Sequence, residues 1–327
     1  MTKGQARGWL WVFLLLVESA LGAAAHAQSA YPVKPIRAIV PFVAGGSTDI
    51  MARALAQKLS EAFGHQVVVD NRGGGGGLIA AVMAKEAPAD GYTIFFATIS
   101  VLSTNPAVYP KLPYDPLRDY APITMTATNP MFLVTHPSVP ATSVKEFVAL
   151  ARGKPGLLTY SSSGTGGAAH LAGALFASLA KLDMVHVPYK GAAPSMTDLV
   201  AGQINATFAQ PASVLGFARA GKIKVLGVSS KTRLASWPDA PPITDTVAGY
   251  ESGSWQGVVA PARTPQPILD RLHRAVVTAL NSNELRKRLM EEGSEIGGMP
   301  PAEFTAYIRA EIAKWTKVGR EANIKVE

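Results

Sequence analysis

Apolar positions along the chain come in short runs, and between the runs a 3.6-residue period takes over. Residues 36–42 (IRAIVPF) form one such run and predict a buried strand. Ile50, Met51, Ala54, Leu55, Leu59 and Phe63 then share one face of a helix that Gly64 stops. Residues 67–70 predict a second strand, the glycines at 73–77 a tight turn into another helix, and residues 92–97 a third strand. This alternation is that of βαβ units.

The rhythm restarts after Met131. Strands are predicted at 132–135, 157–160, 185–187, 204–208 and 225–228. A helix over 143–152 has Ser143 as its cap, and two more start at Pro194 and Pro211, where proline suits a first turn. From Pro265 onward the pattern is nearly all helical, with helices at 265–280, 283–292 and 301–320. The two α/β halves are not a sequence repeat, but they share one device. A strand ends, a turn rich in glycine and hydroxyls follows, and a helix begins. In the first half the device is PFVAGGSTDIMARAL (41–55), in the second YSSSGTGGAAHLAG (160–173).

Such a turn has a physical use. A helix N-terminus leaves four N–H groups unpaired and carries about half a positive charge. Glycines let backbone approach a ligand, and Ser and Thr add adjustable donors, so the turn is suited to an anion. Plain capping, by Ser47 or Thr48 in one turn and by Ser163 or Thr165 in the other, accounts for one hydroxyl each and leaves the surplus unexplained. A serine hydrolase or lyase using Ser163 and His170 is the enzymatic alternative. Neither turn carries the G-x-S-x-G of a nucleophile elbow, and His170 has no acid near it in sequence to orient it. Gly75, Gly77 and Ala80 fit a dinucleotide-type spacing, but no acidic residue is well placed downstream, and a tight strand-to-helix turn is the better reading.

The chain ends and the composition narrow the setting. Lys3 and Arg7, the apolar stretch 9–17 (WLWVFLLLV) and Ala25-His26-Ala27 have the order of a secretory signal peptide spanning residues 1–27, so export is expected. The absence of cysteine excludes disulfides, thiolate metal sites and a cysteine nucleophile. His65, His136, His170, His186 and His273 lack metal-site spacing, and no cofactor is expected. The net charge of +8 is dispersed apart from Arg286-Lys287-Arg288, which favours small anions over nucleic acid.

At this point many segments, in order, resemble one family. YPVKPIRAIVPFVAGGSTDIMAR, VVVDNRGGGGG, APADGYT, NPAVYPKLPYDP, YSSSGTGGAAHLAG, VHVPYKGAAPSMTDLVAGQI and AEFTAYIRAEIAKW are similar to stretches of the Bug family, the periplasmic receptors of tripartite tricarboxylate transporters. The resemblance implies a hinged, two-domain α/β fold of the periplasmic binding protein type (type II-like), each domain a mainly parallel sheet flanked by helices. It implies domain 1 from residues 28–127 plus 252–327 and domain 2 from 128–251, in a monomer without catalytic residues. It further implies a small carboxylate in the interdomain cleft and membrane permease subunits as partners. The implied clamps are Phe42, Gly45, Gly46, Ser47, Thr48 and Asp49 on one side, and Ser162, Ser163, Gly164, Thr165 and Gly166 on the other.

Three departures bear on the ligand. Ala209 and Gln210 stand where many relatives have an acidic residue and an asparagine. Val43-Ala44 replaces a proline-rich approach to the first glycine pair, and residues 98–102, beginning at Thr98, are more apolar than expected beside a cleft. Without an acidic partner a buried ammonium is costly, so an acid without an amine is the expected ligand.

Overall fold

The computed structural model describes residues 31–42, 44, 47–189, 191–235, 237–291 and 293–321; the expected signal peptide lies outside them. Two sheets organise the chain. The first contains β1 (Ile36–Val40), β2 (Val67–Asn71), β3 (Thr93–Thr98), β4 (Tyr120–Asn129), β10 (Ser254–Pro261) and β11 (Glu295–Ile296), in the order β11-β4-β10-β3-β1-β2. The second contains β5 (Phe132–Thr135), β6 (Thr159–Ser162), β7 (Val185–Pro188), β8 (Ala206–Ala209) and β9 (Lys224–Val228), in the order β7-β6-β8-β5-β9. The chain passes from the first sheet to the second after Asn129 and is back in the first at Ser254.

Both sheets are mixed, which corrects the expectation of mainly parallel ones. β1 runs parallel to β2 and β3, but β10 runs antiparallel to both β3 and β4. In the second sheet β6 is parallel to β7 and β8, whereas β5 is antiparallel to β8 and β9. The strands that carry the chain between the sheets are the source of the mixture.

The helices are α1 (Ser47–Phe63), α2 (Leu78–Glu86), α3 (Asn105–Val108), α4 (Val144–Gly153), α5 (Ala168–Ala180), α6 (Ala192–Val200), α7 (Pro211–Arg219), α8 (Gln266–Leu280), α9 (Asn283–Glu291) and α10 (Pro301–Glu321). Ser143 caps α4 as its position predicts, its Oγ accepting from Glu146 N at 3.2 Å. α1 and α8 bury Met51, Leu55, Leu272 and Val276 against Val40, Phe96 and Val258 on one face of the first sheet. The other face, with Ile39 and Phe95, belongs to a cluster that runs through Trp255, Phe304 and Trp315 into the second sheet. Buried Glu311 on α10 takes hydrogen bonds from Trp255 Nε1 (3.1 Å) and Trp315 Nε1 (2.9 Å) and pairs with Lys314. α10 is thereby fixed to β10, where the chain returns to the first sheet.

The stretch after β3 is a further correction. Residues Ser100–Thr104 form a π-helical turn in which Val101 and Leu102 are wholly buried in that same cluster. Their apolar surface is spent on the core and does not line a cleft.

Candidate functional site

The second-half turn is built from the end of β6. Ser161 is wholly buried, its Oγ receiving the Ser195 hydroxyl at 2.7 Å from α6. Ser162 is also buried, and its Oγ lies 2.9 Å from Gly164 O, 3.2 Å from Gly164 N and 2.7 Å from His186 Nε2. When the His186 Nε2–H donates, the serine hydroxyl is left to donate to Gly164 O and every group is satisfied. Ser162 is thus a brace of the turn. Gly164 (φ 144) and Gly166 (φ 77) occupy backbone conformations that side-chain-bearing residues rarely adopt.

His186 stands on β7 opposite Tyr160 of β6. His170, in the first turn of α5, stacks on it, with ring centroids 3.6 Å apart and planes 4° from parallel. His170 Nδ1 accepts from Gly166 N at 3.0 Å, which requires that nitrogen to be unprotonated. The pKa values of both are pushed down to about 4, His186 by burial and His170 by burial first and by the neighbouring His186 second. Two neutral stacked rings therefore hold the turn from beneath. The sequence pattern gives neither histidine a partner; the signal for the pair is the β6–β7 parallel pairing, which places 186 beside 160.

Neither Ser163 nor Thr165 caps α5. The cap is Gly167, with no side-chain hydrogen bond. Both hydroxyl residues are exposed, so they remain available beside the helix N-terminus. Among the described residues no hydrogen bond joins Ser163 to His170, so that pair does not assemble as a nucleophile and base. A cavity of about 210 Å³ opens beside the turn, lined among others by Ser162, Ser163, Ala168, Ala209, Gln210 and Ser213. Gln210, which precedes α7, donates through Nε2 to Ser254 Oγ on β10 at 3.0 Å and so links the second sheet to the first.

In the first half, α1 begins at Ser47, while Gly45, Gly46 and the Ser47 side chain lie outside the described residues. Thr48 and Asp49 are buried in the first turn of α1, and Phe42 is half-buried. Asp49 accepts from Arg53 Nε (3.0 Å) and Asn71 Nδ2 (2.9 Å), and the same Asn71 amide reaches Phe42 O at 3.0 Å. Asn71 at the end of β2 therefore ties the loop before α1 to its first turn, a role the sequence pattern did not show. Thr98 ends β3, buried at 7% exposure. Among the described residues no group of His, Asp and Glu could hold a metal ion, and no helix is long and apolar enough to cross a membrane.

Residues 51–324 match the family described as Tripartite tricarboxylate transporter family receptor. The chain is 32% identical to Protein BugT of Bordetella pertussis over 322 residues, covering 97% of this chain and 98% of that protein. Among solved structures, R. palustris Rpa4515 with adipate is 37% identical with a TM-score of 0.75, covering 90% of this chain and 99% of that one. MatC (Rpa3494) from Rhodopseudomonas palustris with bound malate is 28% identical with a TM-score of 0.71, covering 88% and 99%. The two-sheet α/β architecture is that of periplasmic binding proteins such as BugD, 30% identical at a TM-score of 0.72 over 91% of this chain and 100% of that one.

Proposed function

Because the chain belongs to the tripartite tricarboxylate transporter receptor family, and is a solute-binding receptor rather than an enzyme, we propose that it captures a small carboxylate between its two sheets for membrane permease subunits of such a transporter. The family is one of periplasmic receptors, and the N-terminal pattern supports export of this member to the periplasm with cleavage near Ala27. Domain 1 comprises residues 28–127 plus 252–327 and domain 2 residues 128–251, hinged where the chain passes between the sheets.

One observation carries this reading. The turn at 162–166 offers exposed hydroxyls at the N-terminus of α5 that no cap consumes, beside a cavity whose rim reaches the other sheet through Gln210. A helix N-terminus with free donors favours carboxylate oxygens. The first-half counterpart is the start of α1, with Phe42, Gly45, Gly46, Ser47, Thr48 and Asp49.

The same cavity bears on the body of the ligand. Ala168, Ala169, Met196 and Ala209 line it with apolar surface, and among the described residues no acidic side chain lines it. An ammonium brought there has no carboxylate to meet and a desolvation cost to bear. The test is isothermal titration of ligand-stripped protein with adipate and with 2-aminoadipate. Adipate is expected to bind at least about tenfold more tightly, ~1.4 kcal/mol. Equal or tighter binding of the aminated acid contradicts the assignment of Ala209 and Gln210 as the residues that select against an amine.

A further inference from the structure

Gln256 on β10 and Thr98 at the end of β3 are 4% and 7% exposed. Among the described residues, Gln256 Oε1 and Thr98 Oγ1 have no hydrogen-bond partner. The two residues are register partners on adjacent antiparallel strands, so their side chains leave the sheet on the same face, side by side. That face is the one covered by α1 and α8, because Phe96 and Val258, two residues further along each strand, pack in that core.

Their position along the strands is equally defined. β1 and β3 are parallel neighbours, so Thr98 lies at the sheet edge from which the chain leaves β1 toward the first turn of α1. Ser254, two residues before Gln256 on β10 and on the same face, receives the Gln210 amide from the second sheet. The two unpaired atoms therefore sit at the sheet edge that carries the α1 turn, one step along β10 from the hydrogen bond joining the sheets. The helical period and strand alternation in the sequence could not show this, because β10 was not visible as a strand.

Buried polar atoms are nearly always paired, and two neighbouring exceptions at a sheet edge call for an occupant. Thr98 can donate or accept, whereas the amide oxygen of Gln256 only accepts. A carboxylate cannot donate to that oxygen. A hydroxyl can donate to Gln256 while accepting from Thr98, and it satisfies the glutamine in either orientation of its amide. An ammonium would supply donors but would carry its charge among Phe96, Val258 and their apolar neighbours.

We propose that Thr98 and Gln256 form a neutral subsite for a hydroxyl on the body of the bound acid, so that this receptor selects a hydroxy acid over the same acid without the hydroxyl. The proposal rests on the carboxylate reading above and adds a preference within it. Sequence reading placed Thr98 at the site and missed Gln256.

The experiment is titration of ligand-stripped protein with matched pairs: malate and succinate, 2-hydroxyglutarate and glutarate, 3-hydroxyadipate and adipate. In at least one pair the hydroxy acid is expected to bind about tenfold or more tightly. Gln256→Met and Thr98→Val, both close in size to the native side chains, should each shrink the gap in that pair to within about threefold, with urea unfolding used to verify that each variant is folded. Binding of the unsubstituted acids with no gain from a hydroxyl in any pair overturns the subsite while leaving the carboxylate reading intact. A gap that survives in either folded variant, or tighter binding of the aminated analogue than of the hydroxy acid, also overturns it. Failure of every carboxylate to bind removes the reading on which it rests and the subsite with it.

Discussion

Phe176→Ala is expected to destabilise the protein by about 3–5 kcal/mol, the cost of emptying a well-packed aromatic site. Phe176 on α5 is wholly buried, and its ring centroid lies 6.1 Å from that of Phe147, 5.7 Å from Phe208 and 5.8 Å from Tyr250. Those partners come from α4, from β8 and from the segment returning to the first sheet. The surroundings cannot close the gap readily. On the next turn of α5, Gly173 already lies so near Tyr160 that a Cβ there would be 2.2 Å from Tyr160 Cε2. α5 therefore has no freedom to slide inward, and the cavity persists. Because Phe208 directly precedes Ala209 and α5 carries His170, the loss should also weaken carboxylate binding. Urea unfolding followed by circular dichroism measures the stability change; a loss below about 1 kcal/mol would show that the site collapses and that α5 is not held as described.

The second large effect is on pH dependence. His170 and His186 have pKa values pushed down to about 4 in the folded protein by burial, against ~6.5 for an unfolded histidine. Tyr160, the other titratable ring beside them, stays neutral because burial raises its pKa. Between pH 6.5 and about 4 the unfolded chain binds more protons than the folded one, so the stabilisation is complete above the unfolded value and is lost as pH falls through this window. A displacement of this size corresponds to roughly 3 kcal/mol for one fully buried histidine, and screening at the partly exposed His186 brings the pair to on the order of 3–5 kcal/mol. At Asp70, burial raises the pKa but hydrogen bonds from Arg37 and Arg72 outweigh it, so its contribution fades only below the ordinary aspartate value, ~3.9. Urea midpoints between pH 7.5 and 4 should fall steeply for the native protein and much less for His170→Gln combined with His186→Gln. The amide oxygen at position 170 can still accept from Gly166 N, but it does not titrate. Equal slopes for the two proteins would mean that the stacked rings are not kept neutral by the fold.

The parts of this architecture visible in the sequence are those where burial and periodicity coincide. β1, β3, β5 and β8 are short apolar runs buried on both faces, and α1 and α8 carry apolar stripes. β4 and β10 were not visible, for identifiable reasons. β4 reads YAPITMTATN, with a proline and alternating threonines. Yet Thr124 and Thr126 are wholly buried because their hydroxyls reach Met299 O (2.7 Å) and Gln256 O (2.9 Å). β10 has a glycine at its centre, which reads as a turn. Gly257 is needed there because Phe304 of α10 packs so closely that a Cβ would lie 2.4 Å from its Cζ.

The candidate site shows the same division. The turn at 162–166 was legible because its chemistry is contiguous. The His170–His186 stack was not, because it joins α5 to β7 through a parallel strand pairing that no local pattern encodes. Gln256 was hidden along with its strand. Ala209 and Gln210 stood out through their difference from relatives, and the structure gives them a shared cavity with Ser162 and Ser163. The apolar residues after Thr98 had suggested added cleft surface, but Val101 and Leu102 are core residues.

The central claim, that this receptor holds a small carboxylate, is tested most directly by melting. Protein stripped of ligand by unfolding and refolding is heated alone and with succinate, glutarate, adipate, malate and other small acids, alongside sugars and metal ions. A carboxylate that binds the folded state is expected to add about 2.7 kcal/mol of stability at a hundredfold excess over its Kd, a shift of several degrees that grows with concentration. A shift from a sugar or a metal ion, with none from any carboxylate, would contradict it.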